Sequence, residues 1–250
     1  NISFIMLIVL FAVTSYAQKE SWERLNNMAK NLYLQARYSE AIRIGKKALR
    51  IAEETFGPDH QNVGNTLNNL AASYRAQEKY ARAEALYKRS LEIYENALDP
   101  NHPVVAKSLN NLALLYKSQE KYEEAENLYK QALLIKEKAL GKEHPNVAIS
   151  LNNLAALYYS QEKYDEAEPL FKRALAIQEK VLGKEHPEVA TSLNNLASLY
   201  QDQDNYSLAE SHYKRALAIF EKTLGPNHPK VGKVLENMAV CYKKLGNDDE

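Results

Sequence analysis

One five-residue phrase recurs six times in this chain, and each copy starts 42 residues after the one before it. The second copy reads Leu-Asn-Asn-Leu-Ala, and the sixth is loosened to Leu-Glu-Asn-Met-Ala. The copies begin at Leu25, Leu67, Leu109, Leu151, Leu193 and Leu235. A fixed period of this length is typical of a stack of identical supersecondary units. Such stacks offer an extended surface that binds partners, and so the repeat favours a binding function over catalysis in a closed pocket.

The composition narrows the class of partner. The 250 residues include 32 basic and 32 acidic side chains, which gives a formal net charge of zero. A neutral chain gives no electrostatic reason to expect binding to nucleic acid or to an anionic membrane. Cys241 is the only cysteine, so no internal disulfide can form, and its place on an apolar helical face predicts a small buried side chain.

The amino-terminal segment is predicted to be an export signal. Residues 1–18 carry no charge, and the segment is mostly apolar up to the small residues around Ala17. This pattern is typical of a secretory signal peptide cut after Ala17, which would deliver residues 18–250 to the periplasm or the exterior. The alternative is an uncleaved membrane anchor, but the apolar stretch is shorter than the ~20 residues that a spanning helix needs.

The third copy shows how one unit is built. Pro103 suits the first turn of a helix, where its missing N–H had no partner. Apolar residues then follow at spacings of three and four, which predicts an amphipathic helix. After a short polar break, a second helix is predicted from Tyr122 to Leu140, with Gly141 just past its end. Each unit is therefore predicted to be a pair of antiparallel helices.

A histidine recurs with the same period near the start of each unit from the second onward. The five are His60, His102, His144, His186 and His228. Equivalent residues of neighbouring helices lie ~10 Å apart, whereas zinc ligands must all lie ~2 Å from one ion. We therefore expect these histidines to start helices, and we predict neither a metal site nor a cofactor.

The unit resembles the tetratricopeptide repeat (TPR). The family's pattern of large, small and aromatic positions is matched by Leu109, Leu112, Ala113, Tyr116, Ala125, Tyr129 and Ala132. The 42-residue length, the Leu-Asn-Asn-Leu-Ala phrase and the closing Leu-Gly-x-x-His-Pro are similar to the kinesin-light-chain type of repeat, which occurs in many bacterial proteins. The resemblance implies an all-α, right-handed superhelical solenoid of stacked helix pairs over residues 18–250. It would hold five full repeats and the first helix of a sixth, which we expect to be a truncated repeat.

The resemblance also implies which residues contact a ligand. The family grips an extended peptide backbone with the second asparagine of the phrase, on the concave face. In this chain those residues are Asn27, Asn69, Asn111, Asn153, Asn195 and Asn237. The first asparagines of the phrase, Asn68, Asn110, Asn152 and Asn194, are added to the candidate site. The open alternative is that the amides bond between neighbouring helices and only hold the stack together.

Selectivity is expected from residues that vary on the same face. They are Arg75, Lys107, Lys117 and Tyr159. Three of these are basic, which indicates an acidic or carboxyl-terminal peptide as the partner. The alternative is that these charges are ordinary solvated side chains.

No catalytic motif is evident, so the leading hypothesis is a non-enzymatic scaffold that binds a peptide or a helical segment of a partner protein. A second hypothesis is that the chain is the regulatory TPR arm of a larger exported enzyme, for example a peptidase-like one, or of a signalling protein. A third is a self-assembling rod joined through the apolar carboxyl-terminal edge around Leu235 and Met238.

Overall fold

The computed structural model describes residues 2–246, with side chains from residue 17 onward. Within that range the chain forms eleven α-helices and no β-strand. They are α1 (Ile2–Leu34), α2 (Tyr38–Phe56), α3 (Gln61–Ala76), α4 (Tyr80–Ala97), α5 (Pro103–Ser118), α6 (Tyr122–Leu140), α7 (Pro145–Tyr159), α8 (Tyr164–Leu182), α9 (Pro187–Asp202), α10 (Tyr206–Leu224) and α11 (Pro229–Leu245). The predicted all-α architecture of repeated helix pairs is confirmed, and both predicted helices of the third unit have the expected ends.

The helices are distributed over two compact units, residues 1–128 and residues 129–250, whose boundary falls within α6. In the first unit, α1 pairs with α2 and α3 pairs with α4, and α3 also packs against both α1 and α5. In the second unit, α7 pairs with α8 and α9 pairs with α10, and α9 packs against both α7 and α11. Within each unit, therefore, the first helices of successive repeats are immediate neighbours, as the 42-residue period predicts.

The structure describes the two terminal segments of the chain only in part. The helix α1 is continuous from Ile2 to Leu34 and so runs through Ala17, the predicted cleavage site. The side chains of residues 1–16, which carry the predicted export signal, and the whole of residues 247–250 lie outside the described part. Among the described residues, no helix has the length and apolar content needed to cross a bilayer.

The recurring histidines cap the first helices, which confirms their predicted role. In each case Nδ1 of the histidine accepts a hydrogen bond from the backbone N–H two residues later, at 3.0 to 3.2 Å. The bond gives a partner to one of the backbone donors that every helix start leaves free. In four of the five helices a proline follows the histidine, and it has no N–H to satisfy.

Small residues allow the helices of each pair to approach closely. The equivalent alanines Ala71, Ala113, Ala155 and Ala197 of the first helices are fully buried, and so are Ala83, Ala125, Ala167 and Ala209 of the second helices. The first repeat departs from this frame at Gly45, which stands where later repeats have a tyrosine or Phe171. A Cβ at Gly45 would lie 3.2 Å from Cδ1 of Leu70, so Leu70 packs tightly against the backbone at this position.

Candidate functional site

The paired asparagines lie on the first helices of the repeats, and in the first unit their side chains form an amide ladder. Nδ2 of Asn69 on α3 donates to Oδ1 of Asn26 on α1 at 3.0 Å. One repeat later, Nδ2 of Asn111 on α5 donates to Oδ1 of Asn68 on α3 at 3.1 Å. In these two repeats the second asparagine of the phrase is therefore bonded to the first asparagine of the preceding repeat.

The first asparagine of the phrase makes a further bond to the next repeat. Nδ2 of Asn68 donates to Oγ of Ser108 at 3.1 Å, and Nδ2 of Asn152 donates to Oγ of Ser192 at 2.7 Å. Asn110 is buried, and its Nδ2 donates to the backbone oxygen of Ala106 in its own helix. Asn68 and Asn152 thus link neighbouring first helices, whereas this bond of Asn110 lies within its own helix.

In the second unit the ladder is incomplete. Oδ1 of Asn152 and Oδ1 of Asn194 are buried and have no hydrogen-bond partner among the described residues. The equivalent oxygens of Asn26 and Asn68 accept from the next repeat in the first unit. Some of the recurring amides are thus committed to the stack, while others keep unused hydrogen-bonding capacity.

A cavity of about 200 Å³ between α3 and α5 brings four of the predicted site residues together. These are Asn68, Asn69, Lys107 and Asn111. The remaining lining residues are Asn65, Ala72, Tyr94 and Val104. The cavity therefore combines several side-chain amides with one ammonium group, which is a set suited to binding peptide groups and carboxylates.

A second cavity, of about 150 Å³, occupies the equivalent place between α9 and α11. It is lined by Thr191, Asn194, Phe220, Lys230, Lys233 and Val234. Five of these stand three repeats after residues that line the first cavity, including Asn194 after Asn68 and Lys233 after Lys107. The repeat thus builds the same type of cavity in both units, with different side chains.

The sequence did not predict two residues from second helices that also line these cavities, Tyr94 on α4 and Phe220 on α10. Both rings are buried, and burial raises the pKa of Tyr94 to about 12. The signal that could have found them is variation: this position reads Tyr94, Lys136, Gln178 and Phe220 in successive repeats, whereas the residue before it is always isoleucine. A residue that varies from repeat to repeat beside an unchanging isoleucine is a candidate for ligand selectivity.

Arg75, Lys117 and Tyr159 share one position in the last turn of α3, α5 and α7. All three are partly buried. Burial lowers the pKa of Lys117, and burial together with the hydrogen bond from its hydroxyl to Oδ2 of Asp202 at 2.5 Å raises the pKa of Tyr159. Burial likewise raises the pKa of Tyr87 to about 12, although nearby Arg75 acts in the opposite direction.

The other predicted residues do not enter the two cavities. Asn27 is exposed and lines a broad depression of about 500 Å³ with Arg24, Asn31 and Arg37 among others. Asn153, Asn195 and Asn237 are half-buried on α7, α9 and α11. They lie at the same position of their helices as Asn69 and Asn111, so each unit presents its own row of amides.

Two partly buried carboxylates on second helices are held in the ionised form by neighbouring lysines. The pKa values of Glu84 and Glu168 are lowered, first by hydrogen bonds from Lys88 and Lys172. These carboxylates remain ionised near neutral pH and act as partners in surface ion pairs. Among the described residues, no group of three or more His, Cys, Asp or Glu could hold a metal ion.

Comparison with protein families agrees with this geometry. The tetratricopeptide repeat model matches residues 24–96 and 188–250, which is more than half of the chain. The chain belongs to the tetratricopeptide repeat family. The model of the Nephrocystin-3 TPR domain matches residues 86–184, so the two models together match residues 24–184 and 188–250. No curated protein matches the chain.

Solved structures place the chain among TPR proteins of the kinesin-light-chain type. BtubC (BKLC) from P. vanneervenii is 25% identical, with a TM-score of 0.68 over 91% of this chain and 85% of that one. The kinesin light chain nearly identical TPR-like repeats from Podosopora anserina are 27% identical, with a TM-score of 0.66 over 80% of this chain and 95% of that one. Pseudomonas aeruginosa pilF shares the fold at 18% identity, with a TM-score of 0.57 and coverage of 91% and 90%.

Proposed function

We propose that this TPR chain is a non-catalytic scaffold that binds a peptide or a helical segment of a partner protein along the asparagine-bearing first helices. The observation that carries the proposal is the cavity between α3 and α5, where Asn68, Asn69 and Asn111 meet Lys107. An amide has both a donor and an acceptor to offer to a peptide group. Such recognition does not depend on the side chains of the ligand, which suits a scaffold.

The amide ladder supports this function as well as the fold. Because Nδ2 of Asn69 and of Asn111 each donates to the preceding repeat, both side chains are held in one orientation. Their Oδ1 atoms are left as acceptors for the N–H groups of a bound peptide. Groups that are held in place before binding lose less conformational entropy when the ligand arrives. A stacking role and a binding role are therefore compatible in the same residues.

Three basic side chains on the first helices of the first unit favour an acidic partner. Lys107 is exposed at the cavity, and Arg75 and Lys117 lie in the last turns of α3 and α5. Lysine and arginine make charge-assisted hydrogen bonds to carboxylates, which are stronger than neutral ones. We therefore propose a peptide with acidic side chains or a free carboxyl terminus as the ligand.

The proposal is tested by measuring binding of the full chain to an array of random peptides, at low and at high salt. We expect acidic peptides to be enriched, and we expect Lys107→Gln to weaken their binding. A matched control is Lys138→Gln, which removes an exposed lysine from the last turn of α6. Equal binding of acidic and neutral peptides, or equal losses in both variants, would argue against the assignment of this face.

We also propose that the chain is exported and that residues 1–17 are removed as a signal peptide. The support is the uncharged, mostly apolar segment that ends with small residues at Ala17. Amino-terminal sequencing of the protein recovered from the periplasm or medium of an expressing bacterium should begin at Gln18. Recovery only in the membrane fraction, with the segment retained, would indicate an anchor instead.

A further inference from the structure

The outward face of α2 carries a row of positive charge, although the chain as a whole is neutral. Four exposed basic residues follow one another at spacings of three and four, which places them on one side of the helix. The buried residues of α2, which include Ala41, Ile44 and Ala48, lie on the opposite side. We call the four residues, Arg43, Lys46, Lys47 and Arg50, the basic stripe. It is about 10 Å long, since a helix rises about 1.5 Å per residue.

In later repeats the lysine at the position of Lys46 is neutralised by a glutamate one turn earlier in the same helix. The pairs are Lys88–Glu84, Lys172–Glu168 and Lys214–Glu210, with N–O distances of 2.6 to 2.8 Å. In α2 the residue one turn before Lys46 is Ile42, which is buried. Lys46 therefore lacks the carboxylate that its equivalents have.

Lys47 lacks a second kind of neutralising contact. In later repeats an arginine at this position reaches a glutamate of the preceding second helix. The pairs are Arg89–Glu53, Arg173–Glu137 and Arg215–Glu179, with N–O distances of 2.6 to 2.7 Å. Within the described part of the chain no second helix precedes α2, so no equivalent glutamate faces Lys47.

The carboxylates of α2 itself are already paired. Glu40 is bonded to Arg37 at 2.7 Å, and Glu53 to Arg89 at 2.6 Å. Glu54 lies 3.7 Å from Arg50 in an exposed ion pair, and exposed pairs of this kind are weak. Of the four residues of the basic stripe, Arg50 alone thus has a carboxylate within 4 Å among the described residues.

The outward face of α2 lacks the features of a contact with a folded protein. None of the large apolar side chains that are exposed in the described residues belongs to α2. Protein interfaces are normally centred on buried aromatic and apolar side chains. A helix face that offers only positive charge instead suits an extended layer of phosphate groups, such as the surface of an anionic bilayer.

The place of α2 in the chain also favours a bilayer. The helix α1 runs without a break from the apolar residues 2–17 into the first repeat, and it pairs with α2. A segment with the composition of residues 2–17 meets a bilayer during export or anchoring. The first repeat is then the repeat that follows directly on the membrane-bound segment.

We propose that the basic stripe of α2 is a docking surface for an anionic phospholipid bilayer. Its ammonium and guanidinium groups pair with the lipid phosphates. Each basic residue close to such a surface strengthens binding about fivefold, so four of them give weak binding that is sensitive to salt. The stripe shares no residue with the proposed peptide site on the first helices, and the inference does not depend on that site.

The docking surface is tested by acetylating the lysines of the full chain in the presence of vesicles and measuring each modification by mass spectrometry. One set of vesicles contains equal parts of phosphatidylcholine and phosphatidylglycerol, and the other contains phosphatidylcholine alone. We expect the anionic vesicles to protect Lys46 and Lys47 several-fold more than the neutral ones. The internal references are Lys88 and Lys172, exposed lysines at the equivalent position of α4 and α8, which should react equally with both.

Both kinds of vesicle can take up the apolar segment, so the comparison isolates the effect of charge. Equal protection of Lys46 and Lys47 by the two kinds of vesicle would overturn the proposal, because the apolar segment alone would then bring the first repeat to the bilayer. Equal protection of the reference lysines would overturn it as well, since binding would then not be localised to α2.

A double variant, Arg43→Gln with Arg50→Gln, removes half of the stripe and keeps both reporter lysines. The concentration of anionic lipid that gives half-maximal protection should rise about 25-fold, about fivefold for each charge. The matched control, Lys142→Gln with Lys184→Gln, removes the same charge from exposed loop residues and should leave that concentration unchanged. Circular dichroism checks that both proteins keep their helical fold. Equal effects of the two double variants would show that only net charge matters, and would overturn the assignment to α2.

Soluble polyanions distinguish a bilayer from other anionic partners. Polyglutamate and duplex DNA replace the vesicles at the same concentration of negative groups. We expect either to protect Lys46 and Lys47 less than the anionic vesicles do, because a bilayer offers a surface wide enough to contact the whole stripe. Protection by polyglutamate or by DNA that matches the vesicles would overturn the membrane assignment and indicate an acidic protein or a nucleic acid instead.

Discussion

The side-chain amides of Asn111 and Asn68 are joined by a hydrogen bond of 3.1 Å from Nδ2 to Oδ1, which ties α5 to α3. Asn68 returns a bond from its own Nδ2 to Oγ of Ser108, so the two helices are connected in both directions. Asparagine is less favourable than alanine within a helix by roughly half a kcal/mol. The two bonds offset this penalty, which explains how a pair of asparagines is tolerated in the middle of α3 and of α5.

Removing an asparagine side chain that bonds to the preceding repeat should therefore destabilise the chain. Removing the equivalent asparagine of a later repeat, for which the described residues show no such bond, should not. We expect Asn111→Ala to lower the free energy of unfolding by ~1–3 kcal/mol, because Oδ1 of Asn68 loses its donor in a buried place. Asn195→Ala, at the same position of α9, should change it by less than about 0.5 kcal/mol. Urea denaturation measures both, and equal effects would show that the ladder contributes nothing specific.

The histidine caps predict a second pair of variants. Nδ1 of His144 accepts from the backbone N–H of Asn146 at 3.0 Å, at the start of α7. His144→Ala leaves that donor without its partner and should cost about 1 kcal/mol, whereas His144→Asn should retain most of the stability because asparagine is a favourable cap. Thermal denaturation compares the three proteins. A stability of the Asn variant no higher than that of the Ala variant would contradict the capping role.

Pro169 predicts a stabilising substitution. It lies within α8, beyond the first turn, and it is exposed. Proline inside a helix removes one backbone hydrogen bond and its ring clashes with the preceding turn. We expect Pro169→Ala to raise the free energy of unfolding by ~1–3 kcal/mol, as measured in urea. Asn127→Ala at the equivalent position of α6 is the control, with an expected gain of only about 0.5 kcal/mol.

The buried Tyr87 predicts a loss of stability at high pH. Burial raises its pKa to about 12, from an ordinary value of about 10 in the unfolded chain. Below about pH 10 the phenol is neutral in both states, and its contribution is fully present. As the pH rises from about 10 to about 12, only the unfolded state loses the proton, so stability falls by an amount on the order of 2 kcal/mol.

Tyr87→Phe isolates this effect from the titration of other groups. The equivalent residue of α8 is Phe171, which is also buried, so a phenylalanine fits this position of the repeat. The difference in unfolding free energy between variant and wild type should shift in favour of the variant between about pH 9 and about pH 11.5. A difference that stays constant over this range would mean that the phenol ionises equally in both states.

The sequence predicted the helix pairs well because the signals that end helices are local. The starts of α5 and α6 at Pro103 and Tyr122 and the end of α6 at Leu140 follow from a His-Pro pair, a polar break and a Leu-Gly pair, each read within a few residues. The burial of Cys241 likewise follows from its phase on α11.

The candidate site was harder to predict because its chemistry depends on residues from different repeats. Asn68 finds both of its partners, Ser108 and Asn111, in the next repeat, whereas Oδ1 of Asn194 has no partner among the described residues. Tyr94 and Phe220, which also line the cavities, lie on second helices, whereas the family resemblance predicts ligand contacts only on the first helices. The residue pattern within one repeat does not show which side chains of other repeats will lie beside it.

The central claim, that the recurring amides bind a peptide backbone, is tested most directly by an alanine scan read out by calorimetric titration with the tightest peptide from the array. The positions scanned are Asn27, Asn69, Asn111, Asn153, Asn195 and Asn237. We predict that at least two consecutive positions weaken binding by fivefold or more, including one whose stability is unchanged, since each lost bond to a buried peptide group removes ~1 kcal/mol or more. Wild-type affinity in all six folded variants would contradict the account.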